Sequence, residues 1–108
     1  AARYLLDNGY AILERDWRYQ RRDLDIIASK DGMLVIVEVR TRSNINYLQP
    51  EESVDYHKIR SISIAANAYV KGHRVNASLR FDIIAVTGSP GAKYHINHIP
   101  DAFYPPAR

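Results

Sequence analysis

The sequence predicts an α/β domain with a mixed sheet flanked by helices, in the order α-β-β-β-α-β-β. Three observations carry this. Short, β-branched, aromatic-rich runs recur through the chain with turn residues between them. One long stretch, from Pro50 to about Lys71, has apolar residues at helical spacing instead. That helix stands between two strands, so the strands should run parallel with a right-handed crossover, while tight turns elsewhere make antiparallel pairs. At 108 residues with 46% apolar and 25% charged side chains, one domain over residues 1–108 can bury a core without staples.

The elements follow in order. Tyr4, Leu5 and Leu6 give Ala1–Asn8 a helical pattern, and Gly9 is a C-terminal stop. The chain opens at Ala1, already in that pattern and without Met, so residues are expected to precede it. Tyr10–Tyr19 alternates and is rich in Ile, Trp and Tyr, as a strand requires. Leu24–Ser29 is a second strand, and Lys30-Asp31-Gly32 holds the Asp-Gly pair favoured in two-residue hairpins. Met33–Arg40 is a third strand, with Val35, Ile36, Val37 and Val39. Thr41–Gln49 reads as a polar loop. The helix from Pro50 has Glu51 and Glu52 in its first turn, a stripe of Ile59, Ile62, Ala66 and Tyr69, and a stop at Gly72. Leu79–Thr87 is a fourth strand, Gly88-Ser89-Pro90-Gly91 a turn, and Tyr94–Ile99 a short last strand before a proline-containing tail.

Composition excludes several chemistries. With no cysteine, disulfides and cysteine-based zinc sites are ruled out, and a reducing, cytoplasmic setting is expected. No apolar run approaches the ~20 residues of a membrane helix, and no basic-then-apolar leader is present. The formal charge is +3, but arginines gather at Arg15, Arg18, Arg21 and Arg22 and again at Arg40 and Arg42. The planar guanidinium fits phosphate oxygens, so nucleic acid stands beside plain solubilising charge as an explanation. Between Arg15 and Arg22 the basic residues interleave with Trp17 and Tyr19. That suits a surface that tracks a nucleic-acid backbone or stacks bases, or else an edge strand guarded by charge around a half-buried Trp17.

The hairpin register is the most informative feature. A two-residue Asp31-Gly32 loop sets Lys30 opposite Met33. Leu24, Ile26 and Ala28 then face Val39, Val37 and Val35, all apolar. The other face pairs Ile27 with Ile36, Asp25 with Glu38 and Asp23 with Arg40. A one-residue slip would scramble both faces. Two carboxylates opposite one another, with Cβ atoms ~5 Å apart, repel unless something compensates. A divalent cation does so, since Mg²⁺ commonly uses one or two carboxylates plus a substrate phosphate. Arg40, on the same face, is the other compensator, as an ion pair with Asp23 or Asp25. His95 and His98, three apart on a strand, point to opposite faces and do not chelate together.

Asp25 followed by Glu38-Val39-Arg40 at the end of an apolar strand resembles the D…(D/E)-x-K signature of restriction-endonuclease-like nucleases. The likeness extends over most of the chain. Asn8-Gly9-Tyr10, Leu13 to Tyr19, Asp23 to Ala28, Val37 to Arg42, Pro50 to Val54 with Lys58, and Arg80-Phe81-Asp82 are similar, in order, to the YraN-type family. That family is bacterial, nuclease-related and akin to archaeal Holliday junction resolvases. The resemblance implies a restriction-endonuclease-like core and a Mg²⁺ or Mn²⁺ ion on Asp25 and Glu38, with the Val39 carbonyl a further ligand. It also implies phosphodiester hydrolysis of nucleic acid, DNA of branched or unusual structure in the first instance.

The sequence departs from the family at two places. Arg22-Asp23 stands where members carry Gly-Glu, and Arg40 replaces the signature lysine. Arginine stabilises phosphate charge but stays protonated and cannot act as a base. A nucleic-acid-binding module with little or no catalysis is therefore the alternative function. Lys58, beside the helix's inward stripe, could reach the site, although the spacing favours a lysine whose stem covers the stripe's edge. Asp82 is expected to pair with an arginine. A further acidic residue of the family's first helix would precede Ala1. A third function class is protein interaction, including a homodimer, through Phe103, Tyr104 or an exposed sheet edge.

Overall fold

The computed structural model describes residues 1–42, 56–88 and 94–104, with Arg42 placed by its backbone alone. The elements are α1 (Ala2–Asp7), β1 (Ala11–Tyr19), β2 (Arg22–Lys30), β3 (Met33–Arg42), α2 (Tyr56–Gly72), β4 (Ser78–Thr87) and β5 (His95–Ile99). The expected order is thus observed. The Pro50-Glu51-Glu52 helix start, the loop over 43–49, most of the Gly88–Gly91 turn and the end of the tail lie outside the described residues.

One five-stranded sheet runs β1-β2-β3-β4-β5 in space. Only β3 and β4 pair in parallel, across the α2 crossover, and the other three pairings are antiparallel. Each face carries a helix. On one, Ile62, Ala65, Ala66 and Tyr69 of α2 pack on Leu24, Ile27, Leu34, Ile36 and Phe81. On the other, Leu5 of α1 and Tyr10 pack on Ile26, Ala28, Val35, Val37 and Ile84. The unbroken Leu34–Val37 run is explained by this double cover, because a strand buried on both faces has no polar side to show. Each fully buried aliphatic side chain contributes about 1.5–3 kcal/mol.

Asp31 and Gly32 both adopt positive φ, 51° and 79°, as a two-residue hairpin loop demands. Lys30 faces Met33, Ala28 faces Val35 and Ile26 faces Val37, the register that the pattern predicts. Helix α1 ends as expected at Gly9, whose φ is 87°. Tyr10 N–H reaches the Leu5 carbonyl at 3.0 Å and Gly9 N–H the Leu6 carbonyl at 3.2 Å, which closes the helix in a Schellman motif. The end of α2 differs from expectation. Gly72 remains helical, and Arg74, with φ 53°, takes the left-handed position while Val75 N–H bonds to the Val70 carbonyl. Packing of Val70 and Val75 on the α2 core accounts for the choice, since the same motif needs an apolar pair across it.

A second difference positions the site. Strict alternation would put Leu24 on the α1 side with Ile26, yet it packs with Ile27 on the α2 side. Its β1 partner Trp17 also faces α2, as does Glu14, which interacts with Tyr69. Between Glu14 and Trp17 lies Asp16, with φ 51°. Both strands change face between the Arg15–Ile26 and Trp17–Leu24 pairs while their mutual register is kept; the register shift itself lies further along β1, between Ile12 and Glu14. The Ile26–Val37 pair is the last between β2 and β3. Beyond it the hairpin opens, and Asp25 stands at the opening.

Candidate metal centre

A β3 residue at the opening has a backbone N–H that no strand partner takes, and such a group must find an acceptor. The Asp25 carboxylate supplies one: its Oδ2 accepts the Val39 N–H at 2.9 Å. Glu38, next in the chain, projects to the α2 side like Leu34 and Ile36. It is 6% exposed. Its Oε2 lies 3.4 Å from Lys58 Nζ of α2 and 3.5 Å from an Arg40 guanidinium nitrogen. These separations exceed the 2.7–2.9 Å of a tight charge-assisted hydrogen bond. Beside Asp25 and Val39 opens a recess of about 310 Å³ that Ala1, Ala2, Arg15, Asp16 and Ile26 complete.

Burial raises the Glu38 carboxyl above its ordinary value of 4.5, and the Asp25 charge and a hydrogen bond between the two carboxyls raise it further. Lys58 and Arg40 pull the other way without cancelling the rise. Two acids within hydrogen-bonding reach share a proton most readily, and a cation is what replaces that proton. Among the described residues no group of three or more His, Cys, Asp or Glu side chains converges, so the acidic donor set is this pair. Two adjacent carboxylates, Asp25 at the recess and Glu38 on the α2 side, are the donor type that Mg²⁺ or Mn²⁺ takes, hard ions that complete their shells with water and phosphate oxygens.

The model of the family described as "Uncharacterised protein family UPF0102" matches residues 1–86. The chain belongs to the UPF0102 family. A UPF0102 protein of Bacteroides thetaiotaomicron is 50% identical over 98% of this chain and 87% of its own length. A UPF0102 protein of Parabacteroides distasonis is 44% identical over 100% of the chain and 88% of its own. A UPF0102 protein of Clostridium beijerinckii is 43% identical, covering 95% and 85%. UPF0102 is the YraN-type family that the motifs resemble.

In this UPF0102 chain the four residues read as catalytic, Asp25, Glu38, Arg40 and Lys58, come together from β2, β3 and α2. Lys58 is half-exposed and reaches Glu38 from α2. Val39 lines the recess, and its N–H is committed to Asp25. The arginine cluster divides. Arg15 lines the recess beside Asp25, and Arg18 pairs with Asp23 at 3.1 Å on the exposed face. Arg21 and Arg22 line a second recess with Gln20 and Ser61. Trp17 packs edge-on against Tyr69, with ring centroids 5.2 Å apart, and so faces α2. The Arg42 side chain lies outside the described residues.

Asp82 pairs with Arg80 at 2.7 Å, as expected. What the sequence does not reveal is the rest of its network. The wholly buried carboxylate also accepts from His98 Nε2 at 2.7 Å and from the Asp101 N–H at 3.0 Å. The Arg80 guanidinium donates onward to the Tyr10 hydroxyl, and His98 Nδ1 meets the Tyr4 hydroxyl. Burial alone would raise the Asp82 carboxyl, but these donors, Arg80 first, hold it below its ordinary 3.8. No spacing rule links positions 4, 10, 82 and 98, which meet only through the sheet order. Among the described residues, no helix is long and apolar enough to cross a membrane.

Proposed function

We propose that this UPF0102 protein is a divalent-metal-dependent nuclease that hydrolyses phosphodiesters in DNA, branched or otherwise irregular DNA in the first instance. The observation that carries the reading is the Asp25–Glu38 pair at the open end of the hairpin, with Glu38 buried and under two cations. Ion pairs built for stability are tight and satisfied, whereas this acid is held above its ordinary pKa, the condition that marks functional sites. The restriction-endonuclease-like signature that Asp25, Glu38 and Arg40 resemble supports the same chemistry.

Asp25 and Glu38 would hold the ion, which when bound supplies Lewis-acid activation of a water and neutralises phosphate charge. Lys58 and Arg40 would then donate to the phosphate oxygens as charge builds there. Both already stand at Glu38 Oε2, Lys58 at 3.4 Å and Arg40 at 3.5 Å. Arg40 stays protonated throughout, so its part is charge stabilisation and not proton abstraction. Arg15, at the recess, would steer the backbone towards the carboxylates.

Cleavage of duplex and four-way-junction DNA in Mn²⁺ or Mg²⁺ tests this directly. Asp25→Asn and Glu38→Gln should abolish cleavage while circular dichroism stays unchanged, and Lys58→Ala should slow it by roughly 10²–10³-fold. Salt-sensitive DNA binding without any cleavage would assign the chain to the alternative, a binding module on the same fold, which the arginine at position 40 favours.

A further inference from the structure

The second arginine-lined recess is separate from the carboxylates. Its volume is about 430 Å³, and Gln20, Arg21, Arg22 and Ser61 line it. It sits where the β1–β2 turn meets α2. Gln20 in that turn has a φ of 57°, the left-handed region that a two-residue hairpin loop uses. The nearest acid in the chain, Asp23, is engaged by Arg18. Arg22 gives one guanidinium nitrogen to Gln20 at 3.3 Å, and its Nε is buried without a hydrogen-bond partner among the described residues. The lining thus offers two guanidinium forks, the Ser61 hydroxyl and the Gln20 amide, whose oxygen is already taken by Arg22, so donors for an oxyanion predominate.

Its place on α2 decides what the anion is. Ser61 stands three residues after Lys58, so the two are neighbours on the helix surface, with Cβ atoms about 5–6 Å apart. That spacing is of the same order as the step between adjacent phosphates on one nucleic-acid strand. We infer that the Gln20–Arg21–Arg22–Ser61 recess is a phosphate subsite that grips the phosphodiester flanking the one at Asp25 and Glu38. This rests on the nucleic-acid reading above and deepens it: the substrate is held by two consecutive phosphates, one at the carboxylates and one at the turn. A mononucleotide would engage only half of the site.

Equilibrium binding of a short fluorescent DNA duplex, measured in chelator across a salt series, tests the subsite apart from metal chemistry. Arg21→Gln/Arg22→Gln should weaken binding on the order of tenfold or more and lower the slope of log K against log salt by about 1. The control Arg3→Gln/Lys71→Gln removes the same charge from exposed sites elsewhere and should leave the slope as it is. Arg22→Lys keeps the charge and loses the fork, and Ser61→Ala keeps both arginines; each should weaken binding without changing the slope. A double variant with the wild-type slope, or Arg22→Lys with wild-type affinity, would overturn the inference. The two readings fail separately. Arginine-dependent binding without metal-dependent cleavage sinks the nuclease and leaves the subsite, whereas intact cleavage with an unaltered slope does the reverse.

Discussion

Asp82 and Glu38 are both buried acids one strand apart, and their surroundings push them in opposite directions. Asp82 accepts from Arg80, His98 and the Asp101 backbone at 2.7–3.0 Å, so its charge is fully compensated. Removing it strands a guanidinium that is only 21% exposed. Asp82→Ala should therefore cost about 3–5 kcal/mol, a large share of a small domain's stability, and urea melts would register it as a matching fall in midpoint. Glu38 gives the reverse expectation. Its charged form is disfavoured by burial and by Asp25, Lys58 is half-exposed and can be solvated without it, and the Gln amide oxygen stays an acceptor for Arg40, which is 20% exposed. Glu38→Gln should be as stable as the wild type or more so at neutral pH, while losing Mn²⁺ affinity in calorimetry. A destabilised Glu38→Gln would mark the residue as structural and remove the main support for the metal site. Stability given up at a functional acid is a familiar trade.

At the scale of elements, the two glycines flanking helices make a controlled contrast. Gly9 sits at φ 87°, and a Cβ there would meet nothing closer than Lys30 Cε at 3.8 Å. Gly9→Ala should thus cost about 1–2 kcal/mol, all of it from the left-handed backbone. Gly72 is helical with open space around it, so Gly72→Ala should gain about 0.5–1 kcal/mol. Paired urea titrations check both signs at once. The same contrast shows what could be read in advance. Gly9, Asp31-Gly32 and the β2–β3 register were legible because turn chemistry and two-residue periodicity are local. The cap at Arg74 was not, because packing of Val70 and Val75 outweighed the preference for glycine. The side that Leu24 faces was not legible either: both strands change face beside Asp16, which has a positive φ with no glycine to announce it. At that same level the hairpin opens at Asp25. The acidic pair was therefore foreseen, and the means by which its two members come together was not.

The whole molecule's dependence on pH follows from the two acids taken together. Asp82 is held below its ordinary 3.8, so the stability it contributes is present above that value and is lost as pH falls through the lower folded one. Glu38 is held above its ordinary 4.5, so the folded state binds a proton there more tightly than the unfolded chain does. Its penalty is absent at acid pH, grows as pH rises past 4.5 and is complete above the raised folded value. In chelator, stability should accordingly peak in the mildly acidic range and decline towards neutrality. A divalent cation reverses the upper limb, because it binds only the deprotonated pair and stabilises by mass action. Thermal melts across pH, in chelator and in Mn²⁺, should separate at neutral and alkaline pH and converge in acid. Glu38→Gln should flatten the chelator profile and erase the separation. Coincident wild-type profiles in chelator and Mn²⁺ at all pH values would mean that the carboxyl pair keeps its proton in preference to any ion. The open end of the hairpin would then be a strained feature of the sheet with no metal chemistry attached.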